Sequence, residues 1–148
     1  MLTENDVVKA VASYLASKGY RVDSELSTVE RGIDIDAVHL KTGKRLLVEA
    51  KGATSSKKGT SRFGKPFDRG QATVHVSRAL YSVARLQQRH FDEGAKVAMA
   101  FPSDAQHREL VEAITLPLNA LDIAVFFVRD DLSVLLQTGS KSSNTHMR

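Results

Sequence analysis

Apolar residues recur at helical spacing from residue 3 to residue 18, at Val7, Val8, Val11, Tyr14 and Leu15. This is the stripe of an amphipathic helix. Thr3 is placed to cap its start, with Asp6 three residues on as a variant of the capping box, and Gly19 to end it. Residues 20–22 predict a short strand, and polar residues 24–31 a loop or the continuation of an edge strand. Residues 33–40 and 45–50 read as two strands joined by a turn over 41–44, with Gly43 suited to a positive φ. Residues 52–70 contain four glycines and many Ser and Thr residues, the composition of a loop. A second helix follows over 71–90, its buried side marked by Val76, Leu80, Val83 and Ala84. Residues 96–101 predict a strand stopped by Pro102. Ser103 and Gln106 then form a capping box opening a helix with Leu110, Val111 and Ile114 as its stripe, interrupted by Pro117. Residues 123–128 are almost wholly apolar, as a central strand requires. Residues 133–136 predict a returning strand, and polar residues 137–148 a frayed tail.

The order α-β-β-β-α-β-α-β-β predicts an α/β fold, a mixed central sheet flanked by helices, in one domain over residues 1–136. A chain of 148 residues suits a single core of ordinary size. With no cysteine, disulfides and thiolate metal sites are excluded. The absence of a long apolar run excludes a transmembrane helix, and the start lacks the pattern of a secretory signal, so a cytoplasmic protein is expected. The formal charge of +4 is concentrated: between Lys51 and Arg69 six Lys or Arg residues face one acid, Asp68. Such a cluster suits the phosphate backbone of a nucleic acid.

Acids and a lysine interrupt the strand pair at Gly32-Ile33-Asp34-Ile35-Asp36-Ala37-Val38 and Leu46-Leu47-Val48-Glu49-Ala50-Lys51-Gly52. With a two-residue turn at Thr42-Gly43, Asp36 falls opposite Glu49 and Asp34 opposite Lys51. All four side chains then share one face, with directly opposed Cβ atoms roughly 4.5–5.5 Å apart. Carboxylates at that spacing can share a divalent cation. Hard oxygen donors, without Cys or paired His, favour Mg²⁺ or Mn²⁺ over zinc. The alternative is a solvated hairpin face with ordinary cross-strand salt bridges, which leaves the apolar flanks of both strands unexplained.

These residues resemble the PD-(D/E)xK nuclease superfamily, which includes restriction endonucleases and Holliday-junction resolvases. Val48-Glu49-Ala50-Lys51-Gly52 is similar to its acid-x-Lys strand, and Gly32-Ile33-Asp34-Ile35 to the Gly-x-Asp form of its first acid. The resemblance spans roughly residues 3–101 and lacks the proline before the first acid, where Ile33 stands. It implies a restriction-endonuclease-like core. It also implies metal ligation by Asp34, Glu49 and the Ala50 carbonyl, with Lys51 assisting the attacking water. Glu4 matches a helix-1 glutamate near the metal. Gln71 matches a catalytic glutamine in the helix after the lysine, although His75 stands where an aromatic residue is expected. Asp36 competes with Asp34 for the first position and is kept as an additional ligand.

The expected function is Mg²⁺- or Mn²⁺-dependent hydrolysis of phosphodiester bonds, in DNA first of all, with structure-specific or partner-directed cutting. Lys57, Lys58, Arg62, Lys65, Arg69 and Arg78 are the expected phosphate contacts. Phe63 and Phe67 could stack on bases or dock their loop. The resemblance implies a homodimer. A catalytically silent nucleic-acid-binding module of the same fold, and a nuclease acting on RNA, are the alternatives.

Overall fold

The computed structural model describes residues 1–25, 33–53 and 69–137. Lys57, Lys58, Arg62, Phe63, Lys65, Phe67 and the tail from residue 138 lie outside them. The first helix, α1 (Glu4–Ser17), starts where sequence places it. Thr3 Oγ1 accepts from the Asp6 N–H at 3.1 Å, and Asp6 Oδ2 accepts from the Thr3 N–H at 2.9 Å. Two otherwise orphaned donors are thereby satisfied. Beyond the helix, Gly19 takes a φ of +93° and turns the chain into β1 (Tyr20–Glu25).

Strands β2 (Ile35–His39) and β3 (Arg45–Ala50) follow, then α2 (Arg69–Arg89), β4 (Lys96–Pro102), α3 (Ala105–Glu112), α4 (Thr115–Leu121), β5 (Ile123–Val128) and β6 (Val134–Gln137). The six strands among the described residues lie in chain order, β1-β2-β3-β4-β5-β6. The inner pairs β3–β4 and β4–β5 are parallel, and the outer three pairs antiparallel. The parallel strands β4 and β5 are buried on both faces and correspondingly apolar. No described helix is long and apolar enough to cross a membrane.

Two cores sandwich the sheet. Val7, Val8, Val11 and Leu15 of α1 pack on Ile35, Ala37, Val48, Ala50, Ala98, Ala100 and Phe126. On the other face Val76, Ala79, Val83 and Leu86 of α2, Val111 of α3 and Leu118 of α4 cover Leu47, Val97, Met99, Phe101, Val125 and Phe127. Alternation along β3 thus sends Leu46, Val48 and Ala50 towards α1, and Leu47 towards α2.

Three expectations are corrected. The β2–β3 register pairs Ile35 with Val48 and Asp36 with Leu47, so Asp36 does not oppose Glu49, nor Asp34 Lys51. The turn is longer than two residues because the His39 ring closes it. His39 Nδ1 accepts from the Lys41 and Thr42 N–H groups, and the His39 N–H donates to the Lys44 carbonyl. The pairing slips by two residues, which preserves the faces. Asp104, not Ser103, caps α3, its carboxylate accepting the His107 N–H at 2.8 Å. Pro117 does not break the helix. The break falls at Ala113–Ile114, and Pro117 sits in the first turn of α4, where a missing N–H costs little.

Candidate active site

Asp34 lies at a bend just before β2, where its N–H donates to the Val48 carbonyl at 2.9 Å. Its carboxylate reaches two residues further along β3 and accepts the Ala50 N–H at 2.8 Å. The acid is thus clamped beside the Glu49 side chain, with which it shares a hydrogen bond. Glu49 points to the α2 face, only 6% exposed. Burial, then the hydrogen bond and the negative charge of Asp34, push its carboxyl up to about 9. Lys51 and a hydrogen bond from Ser82 of α2 oppose that rise.

Lys51 leaves the end of β3 with its N–H fixed to the Ala100 carbonyl at 3.0 Å. The next residue brings the helix start to the site. A Cβ on Gly52 would collide with the Glu4 backbone nitrogen and lie 2.7 Å from the Thr3 carbonyl carbon, so α1 can dock here only against glycine. The Ala53 N–H donates to the Leu2 carbonyl at 2.8 Å and holds that contact. Glu4, in the first turn of α1, feels both Asp34 and Lys51. Burial and then the Asp34 charge raise its carboxyl, while Lys51 lowers it.

The structure therefore brings Glu4, Asp34, Glu49 and Lys51 together at the C-terminal end of β3. Asp36 is turned elsewhere: Arg45 grips both of its oxygens, at 2.8 and 3.0 Å, and donates to Glu93 at 2.6 Å. A bidentate Arg–carboxylate pair is geometrically demanding and already balances the Asp36 charge. The Ala50 side chain is buried against α1, and its N–H is the anchor for Asp34. Gln71 and His75 lie on the first two turns of α2, both half-buried. Burial, then the charges of Lys51, His107 and Arg78, depress the His75 imidazole to about 4. Arg78 is exposed. Arg69 pairs with Glu109 at 2.8 Å on the surface, an exchangeable contact worth about 0–1 kcal/mol.

Sequence reading missed Ser82, which follows His75 by seven residues, two helical turns on the same face. It also missed the carboxylate–imidazole pair of Asp104 and His107, for which the i,i+3 spacing at a helix start was the available sign.

Among the described residues no three His, Asp or Glu side chains stand close enough to form a closed metal cage. Mg²⁺ does not need one; it is commonly held by one or two carboxylates, with water and phosphate completing its shell. Asp34 and Glu49 are two adjacent carboxylates that could fill that role, and the rise of the Glu49 carboxyl comes from burial first and then from Asp34, whose charge a cation would offset.

A pH dependence follows with a definite sign. The folded-state pKa of Glu49 lies above its ordinary value of 4.5, so its stabilising contribution is complete below that value and is lost as pH rises towards about 9. In EDTA, the thermal midpoint of the wild type is expected to fall between about pH 5 and about pH 9, and that of Glu49→Gln to fall less over the same window. Parallel profiles from differential scanning calorimetry would remove Glu49 as the cause.

Comparison of the chain with protein-family models, curated proteins and solved structures yields no match.

Proposed function

We propose that this protein is a divalent-metal-dependent nuclease of the PD-(D/E)xK kind that hydrolyses phosphodiester bonds in DNA. One observation carries the reading: the Asp34 carboxylate, anchored on the Ala50 N–H, is hydrogen-bonded to buried Glu49 beside the Lys51 ammonium. A purely structural acid pair would be costly here, because like charges share a poorly hydrated site.

In this reading Asp34, Glu49 and the Ala50 carbonyl hold Mg²⁺ or Mn²⁺, with Glu4 at its edge. A bound cation of this type lowers the pKa of a water ligand and neutralises phosphate charge. Ser82 fixes the Glu49 carboxyl by its hydroxyl hydrogen bond. Lys51 stabilises negative charge developing on the scissile phosphate. Gln71 lies on the helix that covers the site and is proposed to orient the water. Arg69 and Arg78 lie on that helix, and they, with Lys57, Lys58, Arg62 and Lys65, are proposed to hold the backbone by counterion release. No groove-reading element is evident among the described residues, so structure-directed cutting is favoured over a defined sequence. A homodimer addressing two strands belongs to the same proposal.

The test is a panel of linear, nicked, flapped, four-way and single-stranded DNA, with matching RNA. Cutting of at least one DNA form with Mg²⁺ or Mn²⁺, and none in EDTA, is the expected result. Tight DNA binding without cutting, and without a saturable metal site by calorimetry, would replace the enzyme with a binding module.

A further inference from the structure

The outward face of α2 is not accounted for by the site it covers. Val74, Arg78, Tyr81, Arg85, Gln88 and Arg89 follow one another along it at helical spacing, and all are exposed. The helix carries four arginines and no Asp or Glu along its length. A solvated helix face is ordinarily stabilised by opposite charges at i,i+4, whereas Arg85 and Arg89 are a like-charged pair at that spacing. Arg78 and Arg85 form no ion pair among the described residues. Between them stands Tyr81, the one Phe, Tyr or Trp of the helix, left 68% exposed. The Arg85 guanidinium lies over its ring, 6.0 Å from the centroid. Ring and guanidinium border an open hollow of about 580 Å³, completed by Ala84, Gln88 and Arg89.

We infer that this face is a stacking platform for single-stranded DNA, with an unpaired base on the Tyr81 ring and neighbouring phosphates on Arg78, Arg85 and Arg89. The inference rests on the nuclease reading for its ligand and goes beyond it by adding a binding surface outside the site. Charge selects the occupant. An acid-free face complements a polyanion. A second copy docked about a two-fold axis would instead set the same arginines against one another with no acid between them. The ring then selects the form of the strand. A duplex keeps its bases stacked on each other, whereas an unpaired base offers its face to an aromatic side chain, and a neighbouring arginine adds a cation–π contact. Position agrees as well. Tyr81 directly precedes Ser82, whose hydroxyl reaches Glu49, so the platform lies about 100° around the same helical turn from the acid pair. Arg78 and Arg89 are about 16 Å apart along the helix axis, which leaves room for more than one phosphate.

The chain has no tryptophan and three tyrosines, and Tyr14 and Tyr20 pack against the core under α1. Tyrosine emission therefore reports on Tyr81. Oligothymidylate is titrated in EDTA so that nothing is cut. Emission is expected to fall on binding to the wild type and to stay level in Tyr81→Leu. Affinity, read from the anisotropy of a labelled strand, should drop about tenfold in Tyr81→Leu and less than about twofold in Tyr81→Phe, which keeps the ring. An abasic strand of the same length should bind wild type and Tyr81→Leu alike. Arg85→Gln should lower the slope of log affinity against log salt by about one. Affinity of Tyr81→Leu within about twofold of wild type overturns the platform, as does an equal loss on the abasic strand. A wild-type dimer that Tyr81→Leu dissociates assigns the face to a second copy and overturns it too. Failure of the nuclease reading has a different signature: a strand held through Tyr81 that is never cut with any metal, which leaves the platform standing.

Discussion

Lys51→Ala is expected to lower DNA cleavage by about 10²–10³-fold, the usual loss when one preorganised charge facing the transition state is removed. The geometry says why the loss falls on turnover. The backbone of Lys51 is fixed to β4 through the Ala100 carbonyl, so its ammonium starts from one defined position at the edge of the acid pair. Its charge is felt by Glu4, Glu49 and His75, three groups from three different elements. Lys51→Arg should recover little, because a planar fork cannot occupy the place of a compact point charge without displacing its neighbours. The measurement is single-turnover cleavage at saturating protein, beside a binding titration. Retained affinity with lost turnover is the expected pairing. Cleavage within about threefold of wild type would remove Lys51 from the chemistry.

Gly52→Val is expected to destabilise the fold by about 3 kcal/mol, at the upper end of overpacking effects. The thermal midpoint should fall by about 10 °C for a chain of this size. The added atoms would run into backbone, the Glu4 nitrogen and the Thr3 carbonyl, rather than into a side chain that can rotate away. Relief requires α1 to withdraw from the end of β3, and Glu4 withdraws with it. The variant should therefore also lose divalent-metal affinity, measured by titration well below its midpoint. A midpoint within about 2 °C of wild type would show that α1 docks with slack at Gly52.

Elements whose evidence is local were readable in the sequence. The Thr3–Asp6 box, the stripe of α1 and the apolar run of β5 each need only neighbouring residues to be recognised. Hairpin register needs the turn, and the turn depends on a side chain, the His39 ring accepting two backbone N–H groups. The choice between Asp34 and Asp36 inherits that uncertainty. In the observed register Asp36 is held by Arg45, while Asp34 sits at a bend where its carboxylate reaches the Ala50 N–H. The shared face of Asp34 and Glu49 was still legible, since a slip of two residues leaves alternation intact. Ser82 could not be read this way. It comes to the site through the packing of α2 on the sheet, and helix packing leaves little trace in the spacing along either partner.

The strand order has a consequence for how the molecule is built during synthesis. Every strand among the described residues lies next to its predecessor in the chain, so the sheet can grow from β1 as residues emerge, without waiting for a distant partner. Glu4, Asp34, Glu49 and Lys51 all precede α2, whereas Gln71, His75 and Ser82 come with it. The carboxylates are therefore gathered early, and the groups from the covering helix join them only after a further stretch has been translated.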